Sequence, residues 1–324
     1  MVLEGFKDNM DVVTFGETMV LFNPDSTGPL RYVHNFHKSI AGAESNMAIA
    51  LARLGHKTGW FSKLGDDEFG RYIKAVIRGE GVDVSRVVTD PQNSTGLLFK
   101  ESFAHVNPNV YYYRRNSAAS NITIEDLDLD YIKTSKILHI TGITLALSPN
   151  ARKAVYRAVE FAKSNNILVS FDPNIRLKLW SIEEAKPIML EIIKMSDIIF
   201  PGKDEGKLLL GTEDPKEINR KFLDMGCSIV ATKLGKEGCY VTDRYQGEFV
   251  EGYVVEKPVD TVGAGDGFAA GFLSGILSNL NLKECGQLAN AVGAMATLVK
   301  GDMEGFPTLH QVRRFMGIEE YIDR

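Results

Sequence analysis

Cysteine is scarce in this sequence: only Cys227, Cys239 and Cys285 occur among 324 residues. Their wide separation gives neither a CxxC metal pattern nor an even-numbered disulfide framework, so a reducing, cytoplasmic setting is expected. Long apolar runs are missing as well, and the N-terminal MVLEGFKDNMDVV carries Glu4 with no apolar signal core. No membrane span and no export signal are therefore expected. Basic charge is in deficit, with 37 Lys and Arg against 42 Asp and Glu and a net charge of −5. No dense Lys/Arg block makes the positive field that nucleic acid or an anionic membrane needs. The histidines, His34, His37, His56, His105, His139 and His310, show no HExxH or other ligand spacing, and His139 reads as a core residue of an apolar strand. Two familiar phosphate loops are also absent. No GxxxxGK[ST] occurs, and GxGxxG fails at the one place it nearly fits, where Phe268 takes the last glycine position.

What is present suits one large folded unit. The chain is 44% hydrophobic and 24% charged, and no repeat, low-complexity run or Pro/Gly-rich linker divides it, so residues 1–324 are read as a single domain. DVVTFGETMVLF opens as a strand, and AESNMAIALARLG places Met47, Ile49, Ala50, Leu51 and Leu54 on a helical face that ends at Gly55. The alternation resumes with KILHITGI, ILVSFDPN, DIIFPG and SIVATKLG as strands, separated by SPNARKAVYRAVEFAKSNN, SIEEAKPIMLEIIKMS and DPKEINRKFLDMG as helices. Short apolar strands between helices of this length predict βαβ units and a mostly parallel sheet covered by helices on both faces. Two segments, about 17–36 and about 95–116, break the rhythm. The second reads as two strands around an NPN turn, with Tyr111, Tyr112 and Tyr113 favouring strand. Together they predict a small β-sheet lid inserted into the α/β body.

The stretch DTVGAGDGFAAGF carries most of the chemistry. Gly263, Ala264 and Gly265 can turn their N–H groups to one point at the start of an apolar helix, which is a ready anion site. Asp266 stands at that helix start, where a carboxylate is stabilised as an anion and can take a proton from an alcohol attacking a phosphoryl group. On these residues alone, an ordinary N-cap aspartate behind turn-forming glycines is an equal reading.

DTVGAGDGFAAGF resembles the second signature of the ribokinase-like, or PfkB, carbohydrate kinases, and GAESNMAIALARLG with KLGDDEFG resembles their N-terminal sugar-binding signature and the element after it. The match runs in order along essentially the whole chain. It implies a three-layer α/β/α body with a lid, Asp266 as catalytic base, and Gly263, Ala264 and Gly265 as the anion hole. It further implies ATP as phosphoryl donor, with Thr232, Lys233, Gly235 and Gly238 beside its phosphates and Asn290 facing adenine. The family's NxxE motif, linked to magnesium, falls on PGKDE: Glu205 is present, but Gly202 stands where the asparagine is expected. Magnesium is expected with ATP, and a monovalent cation is left open.

Within the family, YYYRRNSAAS, DPNIRLKLW and HITGITLALSP resemble the 2-keto-3-deoxygluconate kinases. That match implies that Gly42, Asn46, Tyr112, Arg114, Ile143 and Arg176 face the sugar. It departs from the pattern at Leu98, where related enzymes can carry a tyrosine. A sugar acid calls for guanidinium groups that hold its carboxylate through paired, charge-assisted bonds, and Arg114 and Arg176 are the candidates. Arg115, one step along the strand, is expected on the opposite face. A fructokinase-like activity would keep Asp266 and need no such clamp. A nicotinamide enzyme lacks its N-terminal GxGxxG, and an intact GAGD argues against an inactive sugar sensor. The resemblance also implies a homo-oligomer paired through the lid.

Overall fold

The computed structural model describes residues 9–103 and 106–319. Its main sheet has eight strands in the order Gly247–Glu251, Gly238–Thr242, Ile229–Lys233, Ile198–Ile199, Leu168–Asp172, Ser135–Thr141, Met10–Phe15, Thr58–Phe61. Pairing is parallel from Ile229–Lys233 to Thr58–Phe61 and antiparallel for the two strands at the other edge.

Side-chain alternation builds the three layers. Val12, Ile137, Ile198 and Ala231 point into one core, while their neighbours Val13, Leu138, Ile199 and Val230 point into the other. The first core is closed by helices that include Ala43–Arg53, Ala264–Leu277 and Leu282–Ala296; the second by Pro149–Ser164, Ile182–Met195 and Pro215–Asp224. Ala264–Leu277 is buried without a break from Gly267 to Gly275. A helix apolar on all sides belongs inside, and this one is packed between Ala43–Arg53 and Leu282–Ala296.

A second sheet runs Phe36–Ala41, Met19–Pro24, Leu97–Phe103, Val106–Tyr113. Its first pair extends to Ala41, beyond the break expected to end near residue 36. The NPN reading is corrected: Asn107, Pro108 and Asn109 lie within the outer strand, and Phe103 pairs with Val106 before that segment is reached. An edge strand tolerates Pro108 because a proline there forfeits no ladder bond that a neighbour requires. The strand also stops at Tyr113, before both arginines. Asn116 at φ 56° and a bond from Ser117 N to Arg114 O turn the chain there, so the alternation expected to separate Arg114 from Arg115 does not apply.

Candidate active site

The carboxyl ends of the parallel strands and the inner face of the small sheet enclose a cleft of about 1350 Å³. In open parallel sheets this is where ligands bind. Gly42, Asn46, Tyr112, Arg114, Ile143 and Arg176 all line it, as do Lys233, Glu205, Gly263, Gly265 and Asp266.

The glycine turn is shaped by its neighbours. Gly263 adopts φ 80° as the residue preceding Ala264–Leu277, and a Cβ there would run into the carbonyl oxygen of Asp302. Only glycine meets both demands. Asp266, in the first helical turn, accepts a hydrogen bond from Asn46 Nδ2 at 2.8 Å. Its carboxyl is pushed up to about 7, chiefly by burial; the Asn46 bond, Arg176 and Lys233 pull it down, and the Asp172 carboxylate adds to the rise. The helix start is expected to favour the anion, whereas burial here raises the pKa.

Lys233 and Asp172 end the strands on either side of Ile198–Ile199 and meet at 2.7 Å. Burial disfavours the Lys233 ammonium, yet Asp172, Glu205 and Asp266 around it raise its pKa above the ordinary value. Glu205 is half-buried and its pKa is raised, mainly by desolvation against the pull of Lys233. Its two oxygens accept from Ile175 N at 2.9 Å and from Gly202 N at 2.7 Å, so it caps its own helix, Lys203–Leu210.

Positive charge gathers around Tyr112. The Arg114 guanidinium lies 5.6 Å and the Lys178 ammonium 5.7 Å from its ring centre, and Arg115 and Arg176 share the cleft. Arg114 is already paired with the buried Glu17, which also accepts from Ser117 Oγ. Leu98 is buried and lines the same cleft.

Three residues expected beside the nucleotide have other occupations. Thr232 is fully buried and donates to Asn219 Oδ1 at 2.5 Å. Asn290 Nδ2 donates to Val250 O at 3.1 Å and Glu251 O at 3.0 Å, tying its helix to a sheet strand. Gly238 sits at φ 117° with its Cα against Val250 O, so the backbone there already requires glycine. Gly235, at φ 61°, has open space around it.

The pfkB family carbohydrate kinase model matches residues 9–309. The chain belongs to that family. It is 42% identical to a 2-dehydro-3-deoxygluconokinase of Bacillus subtilis (strain 168), over 97% of each chain. It is 36% identical to the 2-dehydro-3-deoxygluconokinase of Thermoproteus tenax, over 95% of this chain and 94% of that one. Among solved structures, a putative ribokinase II from E. coli in complex with ATP and Mg2+ superposes with a TM-score of 0.89 at 28% identity, covering 96% of this chain and all of that one.

This pfkB chain fits a metal that arrives on a nucleotide. Among the described residues no three His, Cys, Asp or Glu side chains form a cage that could hold a metal ion unaided. Asp172, Glu205 and Asp266 nevertheless line the cleft, and magnesium commonly takes only one or two carboxylates beside substrate phosphates. Sequence reasoning missed Asp172, Glu17, Lys100 and Asp302. For Lys100 a signal existed, since it lies two residues from Leu98 on the same strand face.

Proposed function

We propose that this chain is an ATP-dependent kinase that phosphorylates the 6-hydroxyl of 2-keto-3-deoxygluconate, giving 2-keto-3-deoxy-6-phosphogluconate. Asp266 carries the reading: a half-buried carboxyl with its pKa pushed up to about 7, held by Asn46 at the mouth of a glycine-lined helix start. Its ionised form orients the acceptor hydroxyl and takes the proton as that oxygen bonds to phosphorus and the bond to the ADP oxygen breaks. The N–H groups of the Gly263–Gly265 turn and the Lys233 ammonium stabilise the charge on the transferring group. Bound magnesium would supply further neutralisation of phosphate charge, with Glu205 and Asp172 as the nearby carboxylates. Asn46 Oδ1 is buried with no hydrogen-bond partner among the described residues and is the acceptor left for a sugar hydroxyl.

For the substrate class, support comes from Arg176, Arg115 and Lys178 beside Arg114, an assembly suited to a carboxylate. A second reading, a neutral ketose such as fructose, is favoured by one observation: Glu17 already balances the Arg114 charge. Coupled ADP release with MgATP and 2-keto-3-deoxygluconate, beside fructose, ribose and adenosine at equal concentration, separates them. Preference for the keto-acid is expected; preference for fructose would replace the substrate assignment and leave the phosphoryl chemistry standing.

The proposal includes a cytoplasmic enzyme that assembles as a homo-oligomer through the outer face of its lid sheet. It is supported by three cysteines that are all free and buried and by aromatic residues on that face. No helix of the described residues is long and apolar enough to cross a membrane.

A further inference from the structure

Lys100 belongs to the lid strand Leu97–Phe103, yet its ammonium ends in the body, behind the glycine turn. Nζ stands 3.0 Å from Asp302 Oδ1 and 3.3 Å from Asp260 Oδ2, with only 6% of the side chain exposed. Two carboxylates so placed, Asp302 buried and Asp260 half-buried, repel each other, and an ammonium between them removes the penalty. Burial alone would lower the Lys100 pKa, but the two aspartates raise it above its ordinary value, so it remains a cation at every working pH.

Both aspartates belong to the backbone that shapes the anion hole. Asp260 Oδ1 accepts from Val262 N at 3.1 Å, fixing the approach to Gly263, and its Oδ2 accepts from Gly301 N at 3.4 Å. The Asp302 carbonyl oxygen packs against the Cα of Gly263 at the spot where no Cβ fits. The segments before and beneath the turn are thus joined through carboxylates that the lid's lysine neutralises.

We propose that Lys100 is a positioning residue for phosphoryl transfer, a latch carried by the lid whose ammonium holds Asp260 and Asp302 together and so keeps the Gly263 turn in its phosphate-binding shape. Lid and anion hole then form one electrostatic unit. Because the ammonium fills the place between the carboxylates, turnover does not depend on which alkali cation is in the buffer. The inference rests on the Gly263–Gly265 turn being the phosphate cradle and is indifferent to the identity of the sugar.

The test uses the full-length protein and Lys100→Met, which keeps the stem and removes the charge. ADP release is measured with saturating MgATP and whichever sugar the unaltered protein turns over. The buffer is tetramethylammonium chloride, then potassium or ammonium chloride at constant ionic strength. The unaltered protein should be indifferent to the cation. Lys100→Met should lose roughly 10- to 100-fold in kcat through misplacement of the anion hole, with KM for the sugar little changed. Potassium or ammonium should recover much of that loss. Thermal unfolding in the same salts gives an independent readout: the melting temperature of Lys100→Met should rise in potassium or ammonium, and that of the unaltered protein should not. A fully active Lys100→Met, a defect that neither cation relieves in rate or melting, or potassium activation of the unaltered protein would each overturn the proposal. Should Lys100→Met fold only when potassium or ammonium is present, that supports it; failure to fold in every salt counts against it. If no sugar is turned over by the unaltered protein, the functional reading fails while the melting experiment still decides the role of Lys100.

Discussion

A carboxyl half-buried at a helix start is pulled two ways, and Asp266 shows which effect wins. The Asn46 hydrogen bond and the Arg176 and Lys233 charges favour its anion, but loss of water dominates and raises the pKa to about 7. A base must be ionised to accept a proton, so kcat/KM should climb through an acid limb with an apparent pKa near 7 and level off above it. A profile flat from pH 5 upward would remove Asp266 from the role. The same shift has a stability consequence. Between the ordinary aspartate value of 3.8 and about 7, the folded state keeps a proton that the unfolded chain releases, so Asp266 costs stability as pH rises through that window and no further above it. Asp266→Asn should therefore lower kcat by roughly 10²- to 10⁴-fold. It should also raise the melting temperature at pH 8 by a few degrees and leave it nearly unchanged at pH 4. Gly263→Ala tests the neighbouring position from the other side. An alanine at φ 80° costs about 1–2 kcal/mol in backbone strain and must also displace the Asp302 carbonyl. Both melting temperature and kcat should fall, and a variant that loses neither would show that the turn has slack.

At the scale of elements, period and breakers made the body legible. The apolar face of AESNMAIALARLG became the helix Ala43–Arg53, the strand Leu168–Asp172 falls within ILVSFDPN, and Ser135–Thr141 begins one residue before KILHITGI. The errors lie where tertiary context overrides local pattern. NPN resembles a turn until an edge strand offers Pro108 a place without a required N–H bond. Arg114 and Arg115 resemble opposite faces of a strand until the strand ends one residue earlier. The carboxylates that partner Lys233, Arg114 and Lys100 were illegible for a related reason: ion pairs across 61, 97 and 202 residues leave no local spacing. Asn290 sharpens the point. Its amide spans two carbonyls of the strand Gly247–Glu251, so Asn290→Ala leaves them unsatisfied at a cost of about 1–3 kcal/mol. The expected result is a lower denaturation midpoint with KM for ATP unchanged. A raised KM at unaltered stability would return Asn290 to the adenine pocket.

At the scale of the molecule, the lid sheet has two faces with different tasks. Register places Leu21, Leu98 and Tyr112 together on one face, and the last two line the cleft. The opposite face carries Phe22, Phe99, Tyr111 and Tyr113. Phe22 and Phe99 stack at 4.7 Å, and Phe36 and Tyr113 stand edge-on to Phe99 at 5.6 and 5.7 Å. Tyr113 is 66% exposed and Tyr111 45%. An aromatic surface beside an edge strand invites a second copy, because pairing covers both the rings and the unpaired backbone groups. A stable contact of about 800 Å² per partner would span much of that face. The protein should therefore sediment as a dimer or larger assembly at micromolar concentration. Tyr113→Glu, which puts a charge into the contact and none into the cleft, should yield monomers that keep their fold. In such an assembly the paired lids would brace one another, so the monomer should also bind sugar more weakly, raising KM with kcat less affected. A monomeric unaltered protein, or an assembly that survives Tyr113→Glu intact, would place the contact elsewhere and leave this aromatic face to serve the lid's own packing.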